Sequence, residues 1–200
     1  MRKTFSYASL MLLLSIVLIH SFAHASLAAD PEPKQYLLLK LGVYLPQSED
    51  MNEYEDGFNG EIYYGRYFHK NFSSELGAGY FKSDSKDSNF GDVTVSTFDI
   101  LYNLKGIYRI GRFELFAGPG VGVYFTKGYD YSSSLSTEWK PAFGGHVLAG
   151  CNIDVSAEWF LGLEAKYFWA TTKDPIIPQG GAFGTHLDGL TGAATLGWRF

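Results

Sequence analysis

Residues 189–200 read GLTGAATLGWRF, and this stretch decides the fold. The alternate positions on one side carry no charge and end on aromatic residues: Leu190, Gly192, Ala194, Leu196, Trp198 and Phe200. The positions between them are small or polar: Gly189, Thr191, Ala193, Thr195, Gly197 and Arg199. A period of two predicts a β-strand with one apolar face, because successive side chains of a strand point to opposite sides.

The same alternation recurs along the rest of the chain. Seven further segments are predicted as strands, most of them ten or more residues long: 36–46, 57–69, 72–82, 93–108, 113–127, 139–153 and 159–171. Such lengths exceed the 5–6 residues usual in soluble sheets and approach what a tilted strand needs to cross a bilayer. The connections alternate between short segments (69–71, 109–112, 154–158) and long polar ones, as in membrane-spanning barrels.

Composition excludes several other classes of protein. Cys151 is the only cysteine, so a framework of disulfides within the chain is impossible. A formal net charge of −5 disfavours nucleic acid as a partner. The mean hydropathy of −0.06 is what an equal mixture of apolar and polar strand faces gives.

The first 25 residues have the features of a secretory signal peptide. Arg2 and Lys3 precede an apolar run at 10–19, and Ala23-His24-Ala25 provides a small-x-small cleavage site. We therefore predict a signal peptide at 1–25 and a single barrel domain at 26–200. Residues 26–200 contain no apolar run of helix-spanning length, which leaves a soluble exported protein or a closed barrel.

The residues on the polar face indicate which side of the sheet is outside. That face carries many glycines and only isolated charges, which suits the narrow interior of an eight-stranded barrel better than a water-exposed surface. Aromatic residues mark the strand ends, where rings favour the bilayer–water interface: Tyr44, Phe58, Phe68, Phe72, Tyr80, Tyr108, Phe113, Phe125, Trp139, Trp159, Trp169 and Trp198. The prediction is an all-β, eight-stranded antiparallel up-and-down transmembrane β-barrel. A soluble lipocalin-like barrel, with its apolar face inward, is the alternative.

Four segments carry a resemblance to a known family: FSSELGAGYF (72–81), FELFAGPGVGVYF (113–125), FLGLEAKYFW (160–169) and GLTGAATLGWRF (189–200). They resemble the small OmpA/OmpX/OmpW-like outer-membrane barrels of Gram-negative bacteria. The resemblance implies location in the outer membrane, contact with lipid and lipopolysaccharide, and handling by the barrel-assembly machinery. The assembly signal that it implies comprises Phe200, Trp198, Leu196 and Ala194.

Alternation directs nine charged residues into the lumen: Lys40, Glu61, Glu75, Asp99, Lys105, Glu114, Glu164, Lys166 and Arg199. Buried charges must be paired or hydrated. The set therefore predicts either an ion-pair network that fills and stiffens the barrel or a narrow hydrated path for small solutes.

The function predicted is a structural or surface-interaction role without catalysis, cofactor or metal. A narrow channel or transporter for small or hydrophobic solutes is the alternative, and a lipid A-modifying enzyme is a further one. The resemblance extends to barrel enzymes that deacylate lipid A and carry a His-x-Ser-Asn pattern, but the stretch 186–189 lacks its Ser and Asn. We interpret His146 as an inward structural side chain. Cys151 is interpreted as a small apolar residue. The acidic segment 49–56 is predicted to be a solvated loop, with cation-mediated contact to lipopolysaccharide or a recognition surface as the alternatives. The more apolar segment 174–184 is a predicted loop that could contact lipid, a partner or a hydrophobic solute.

Overall fold

The computed structural model describes residues 35–48, 51, 54–85, 93–130, 135–136, 138–172 and 185–200. The predicted signal peptide at 1–25, the loop at 174–184 and half of the acidic segment 49–56 lie outside the described residues. The described strands form a single sheet.

Within the described ranges, eight long strands form this sheet. Their bounds are β1 Gln35–Pro46, β2 Gly57–His69, β3 Phe72–Asp84, β4 Val93–Ile110, β5 Phe113–Asp130, β6 Lys140–Asp154, β7 Trp159–Thr172 and β8 Gly189–Arg199. Each strand pairs antiparallel with the next. Two short segments, Leu135–Ser136 and Thr185–His186, extend the pairing of β5 and β7. The predicted strands lie within three residues of these bounds.

The sheet closes on itself through β1 and β8. These strands pair antiparallel from Tyr36 opposite Arg199 to Pro46 opposite Gly189. At one end the Gln35 amide donates to the Phe200 carbonyl at 3.2 Å and the Phe200 amide donates back at 2.9 Å. The prediction of a closed eight-stranded up-and-down barrel is confirmed.

The strands are strongly staggered around the barrel. Following paired positions from Lys40 through β8 and β7 leads to Asn152 on β6. Following them the other way through β2, β3, β4 and β5 leads to Ala142, ten residues from Asn152 on the same strand. Since stagger and strand tilt are linked in a closed barrel, residues far apart in sequence meet at one height in the lumen.

The two faces of the sheet divide as the alternation predicts. Apolar side chains such as Leu39, Val121 and Leu163 are exposed on the outside, and most of the strand glycines face the lumen together with buried charges such as Lys40 and Glu164. One expectation is wrong: Tyr44 is fully buried in the lumen and does not lie at an interface. The reason is its position, since it lies four residues after Lys40 on the same inward face of β1.

The three short connections lie at one end, which we call the short-turn rim. They are residues 70–71, 111–112 and 155–158, and the β1–β8 closure bonds lie at the same rim. Gly111 has a φ of 59°, and this left-handed conformation lets β4 and β5 turn within two residues. The opposite end, which carries the longer loops, is called the long-loop rim.

Across the described ranges, no helix is long and apolar enough to span a membrane.

Candidate functional site: the filled lumen

The middle of the lumen holds a central ion-pair network of Lys40, Lys105, Glu75 and Glu164. Lys40 Nζ lies 2.7 Å from the Glu164 carboxylate and 4.0 Å from Glu75. Lys105 Nζ lies 2.6 Å from Glu75 and 3.2 Å from Glu164. All four side chains are at most 5% exposed, so each charge depends on its partners for the interactions that water would otherwise provide.

Aromatic rings and polar neighbours complete this network. Lys40 Nζ lies 4.1 Å above the ring centre of Tyr63, and Lys105 Nζ lies 4.1 Å from that of Phe116. The Tyr36 hydroxyl donates to Glu75 at 3.0 Å, and the Asn103 amide donates to the same carboxylate at 2.9 Å. These contacts hold the ammonium and carboxylate groups in fixed positions across the lumen.

A second pair lies closer to the long-loop rim. Lys166 donates to Glu61, which also accepts from the Tyr63 hydroxyl at 2.9 Å and from the Asn59 amide at 3.1 Å. Asp99 is buried close to Glu61, since both side chains pass within 3 Å of where a Cβ on Gly79 would lie. The Asp99 Oδ1 atom has no hydrogen-bond partner in the structure.

The lumen is crossed by a third group at the short-turn rim, the Glu114 cluster. Glu114 accepts hydrogen bonds from Arg109 Nη2 at 2.7 Å, from the Tyr67 hydroxyl at 3.0 Å and from the Asn152 amide at 3.1 Å. Arg199 Nη2 lies 3.6 Å from the same carboxylate, and its Nη1 donates to Asp154 at 2.6 Å. Side chains from five strands therefore meet at one carboxylate.

An aromatic layer lies beneath the long-loop rim. It consists of Tyr44, Phe81, Tyr124 and Phe168, each at most 1% exposed. The ring centres of Tyr44 and Phe81 are 4.5 Å apart, and those of Tyr124 and Phe168 are 5.2 Å apart and stacked. Met51 and Leu187, from the first and last long loops, are also buried.

The first and last long loops are joined at this rim by hydrogen bonds. The Gln47 amide donates to the Asp188 carbonyl at 2.9 Å, and the Ser48 hydroxyl donates to the His186 carbonyl at 2.7 Å. Within the acidic segment, burial raises the pKa of the Tyr54 phenol to about 12. At the end of β3, a hydrogen bond from the Thr94 hydroxyl lowers the pKa of the Asp84 carboxyl.

The nine predicted lumen charges are all buried inside the barrel. The structure brings Lys40, Glu75, Lys105 and Glu164 together, pairs Lys166 with Glu61, and places Glu114 with Arg199. The prediction omitted the polar partners of these charges: Tyr36, Asn59, Tyr63, Tyr67, Asn103, Arg109, Asn152 and Asp154. Their inward parity was a usable signal, since a tyrosine or asparagine on the charged face must find a partner there.

His146 and Cys151, which the sequence also singled out, lie in surroundings that give them a structural role. His146 is buried, and its Nε2 lies 2.6 Å from Asn103 Oδ1. Cys151 is on the outward face of β6. In the part of the chain that the structure describes, no three His, Cys, Asp or Glu residues are arranged to hold a metal ion.

The four residues of the implied assembly signal lie together on the outside of β8. Leu196, Trp198 and Phe200 are 43%, 38% and 53% exposed, and Ala194 is exposed as well. The rings of Trp198 and Phe200 are 5.0 Å apart, and Trp198 stacks on Trp159 of β7 at 6.2 Å. They form part of an aromatic belt at the short-turn rim.

An apolar exterior around a filled, charged interior is the arrangement of a transmembrane β-barrel, because water-exposed sheets place these faces the other way round. The chain belongs to the outer membrane protein beta-barrel domain family, whose model matches residues 11–200. The protein is therefore located in the outer membrane, where short turns face the periplasm and long loops face outward. A search of curated protein sequences found no significant match.

Three solved structures with this fold align with the chain at low sequence identity. Neisserial surface protein A aligns with a TM-score of 0.58 at 14% identity, over 82% of this chain and 95% of that one. OprG from Pseudomonas aeruginosa aligns with a TM-score of 0.56 at 12% identity, over 84% and 96%. Ail, the attachment invasion locus protein of Yersinia pestis, aligns with a TM-score of 0.53 at 12% identity, over 85% and 100%. At these identities the likeness concerns the fold alone.

Proposed function

We propose that this protein is a non-catalytic outer-membrane barrel whose filled lumen makes it a rigid support for its external loops. The observation that carries the proposal is the succession of three buried groups along the lumen. These are the Glu114 cluster, the central ion-pair network and the aromatic layer. An eight-stranded barrel has an interior just wide enough for side chains to fill, so these groups leave little room for a solute.

The geometry of the long-loop rim supports an interaction role for the loops. Hydrogen bonds fix the first loop against the last, and Met51 and Leu187 anchor them on the barrel. Glu55 and Asp56 are exposed there. Anchored loops present a surface at a low entropic cost on binding, which suits contact with lipopolysaccharide or another surface partner.

Conductance measurements test this proposal against the alternative of a narrow channel. We expect the refolded protein in planar lipid bilayers to show no discrete conductance, because the ion pairs and rings fill the lumen. Reproducible single-channel steps, selective for one ion sign, would contradict it.

A matched pair of variants on β7 makes the test specific for the lumen. Glu164→Ala with Phe168→Ala removes inward side chains from the ion-pair network and the aromatic layer. Leu163→Ala with Tyr167→Ala removes outward side chains from the same strand. We expect only the inward double variant to conduct ions. If the native protein conducts as well as the inward variant does, the proposal is wrong.

A further inference from the structure

The short-turn rim is electrostatically divided into two arcs. The basic arc comprises Arg66, Lys70, Arg109 and Arg112, all on β2, β4 or the turns after β2 and β4. The acidic arc comprises Asp154 and Glu158 at the β6–β7 turn, where Asp154 is paired with the buried Arg199 at 2.6 Å. The two arcs adjoin each other, because Arg112 of the basic arc is hydrogen-bonded to the Asp154 carbonyl of the acidic arc.

Hydrogen bonds hold the β2–β3 turn against the end of β4. The Ile107 amide donates to the Asn71 carbonyl at 2.7 Å, and the Asn71 side chain donates back to the Ile107 carbonyl at 3.0 Å. Arg109 Nη1 donates to the Lys70 carbonyl at 3.1 Å. The basic arc is consequently a fixed feature of the surface, since the β2–β3 turn is joined to β4.

The cations of this arc are directed outward to different degrees. Arg66 has the same parity on β2 as Ile62, which is 57% exposed on the outside of the barrel. Lys70 is exposed in its turn. Arg112 is exposed and donates from Nε and Nη2 to the Asp154 carbonyl at 3.0 and 2.6 Å, which uses two of its five N–H groups. Arg109 is the exception, because it is committed to Glu114.

Apolar side chains beside the arc place it at the level of lipid headgroups. Phe72 at the start of β3, Tyr108 and Ile110 at the end of β4, and Phe113 at the start of β5 are 49%, 63%, 54% and 50% exposed. Rings of this kind mark the boundary between acyl chains and water. Lys70 and Arg112 lie within two residues of this boundary, where lipid phosphates are found.

We propose that the basic arc is a binding surface for anionic glycerophospholipids of the periplasmic leaflet. Guanidinium groups bind phosphate through paired N–H donors, and lysine adds a point charge next to them. The exposed carboxylate of Glu158 in the acidic arc would repel the same headgroups, so the barrel would select anionic lipid on the β2–β5 side. This selection is independent of whether the lumen conducts.

The test uses the refolded full-length barrel in nanodiscs of equal parts phosphatidylglycerol and phosphatidylcholine. Lipids retained on the barrel after transfer to detergent are counted by native mass spectrometry. We expect enrichment of phosphatidylglycerol that falls on the order of tenfold in Lys70→Glu with Arg112→Glu. The control is Lys127→Glu with Lys140→Glu, which reverses two charges on the strands next to the long-loop rim and should keep the enrichment.

A variant that should gain lipid binding is included because a variant that loses binding could simply be misfolded. Glu158→Lys places a cation in the acidic arc and should increase phosphatidylglycerol retention, provided that a heat-modifiable band shows the protein to be folded. The proposal is overturned by equal retention of the two lipids on the native barrel. It is also overturned if the control variant loses the enrichment as fully as the basic-arc variant does.

Discussion

Gly77, Gly65 and Gly197 each lie beneath a large aromatic ring inside the barrel. A Cβ at Gly77 would lie 2.1 Å from the ring of Tyr63, and one at Gly65 would lie 2.2 Å from the ring of Tyr36. The equivalent distance at Gly197, to the ring of Phe160, is 2.0 Å. Glycine is needed at these positions because a ring from the neighbouring strand occupies the space that a side chain would take.

Gly77→Ala should therefore destabilise the barrel by about 1–3 kcal/mol. The added methyl group would displace the Tyr63 ring and weaken its 2.9 Å hydrogen bond to Glu61. Urea unfolding in lipid vesicles, followed by tryptophan fluorescence, measures the change. Gly192→Ala is the control, because a Cβ at Gly192 meets no atom within 4 Å. Equal stability of the two variants would mean that the ring contact is unimportant.

Lys166→Met tests how much the buried ion pair of Lys166 with Glu61 stabilises the barrel. Glu61 is 4% exposed, and the substitution leaves its carboxylate without a cation in direct contact. We expect a loss of roughly 3–5 kcal/mol in the same unfolding measurement. Adding Glu61→Gln to Lys166→Met removes the isolated charge and should recover part of that loss. A single variant as stable as the native protein would argue that the pair is not held tightly.

The strands differ in how clearly the sequence marks their ends. Strand β4 was predicted to end at Tyr108 but continues to Ile110, and β5 continues three residues beyond its predicted end to Asp130. Backbone pairing between Val93 and Asp130 extends this hairpin towards the long-loop rim. Hydrophobic alternation reports burial against lipid, so it cannot mark where hydrogen bonding continues outside the membrane.

Strand β5 also allows a direct test of which face meets lipid. Val121 is 51% exposed near the middle of the strand, so an arginine there would place a charge in the acyl chains. Val121→Arg should cost about 2–4 kcal/mol in equilibrium unfolding from vesicles, whereas Val121→Leu should be close to neutral. A neutral arginine variant would indicate that this face is not embedded in lipid.

For β8, deletion of Phe200 should lower the fraction of protein that folds into vesicles. The Phe200 amide and carbonyl supply the last two closure bonds with Gln35, and its ring packs on Trp198. Heat-modifiable migration on a gel measures folded yield. Phe200→Trp keeps an aromatic group and the backbone bonds, and it should fold normally. Unchanged yield after the deletion would leave Phe200 with a lipid-facing role only.

At the scale of the whole barrel, the sequence predicts which face of the sheet each side chain occupies, but it does not predict which side chains meet in the lumen. Alternation placed Lys40 and Glu164 on the inward face without indicating that they meet. They lie 124 positions apart on β1 and β7, strands that are not hydrogen-bonded to each other. Their contact depends on the ten-residue stagger, which is a property of the closed sheet and has no local sequence signal.

The aromatic layer illustrates the same limit. Tyr44, Phe81, Tyr124 and Phe168 come from four strands, and each is an ordinary strand aromatic when taken alone. Tyr44 was expected at the membrane interface because it lies near a strand end. Its parity with Lys40 directs the ring into the lumen, so the distance of a residue from a turn does not determine whether it faces lipid.

Because β1 and β8 close the sheet at the short-turn rim, the strands could keep the same neighbours if they were joined in a different order along the chain. Because Gln35 and Phe200 are hydrogen-bonded neighbours, a short linker could join these positions, and the chain could be opened instead in a long loop. Such a circular permutant retains every strand pair while Phe200 becomes an internal residue. The barrel is thus a ring of hairpins in which the hydrogen bonding gives no strand a privileged first place.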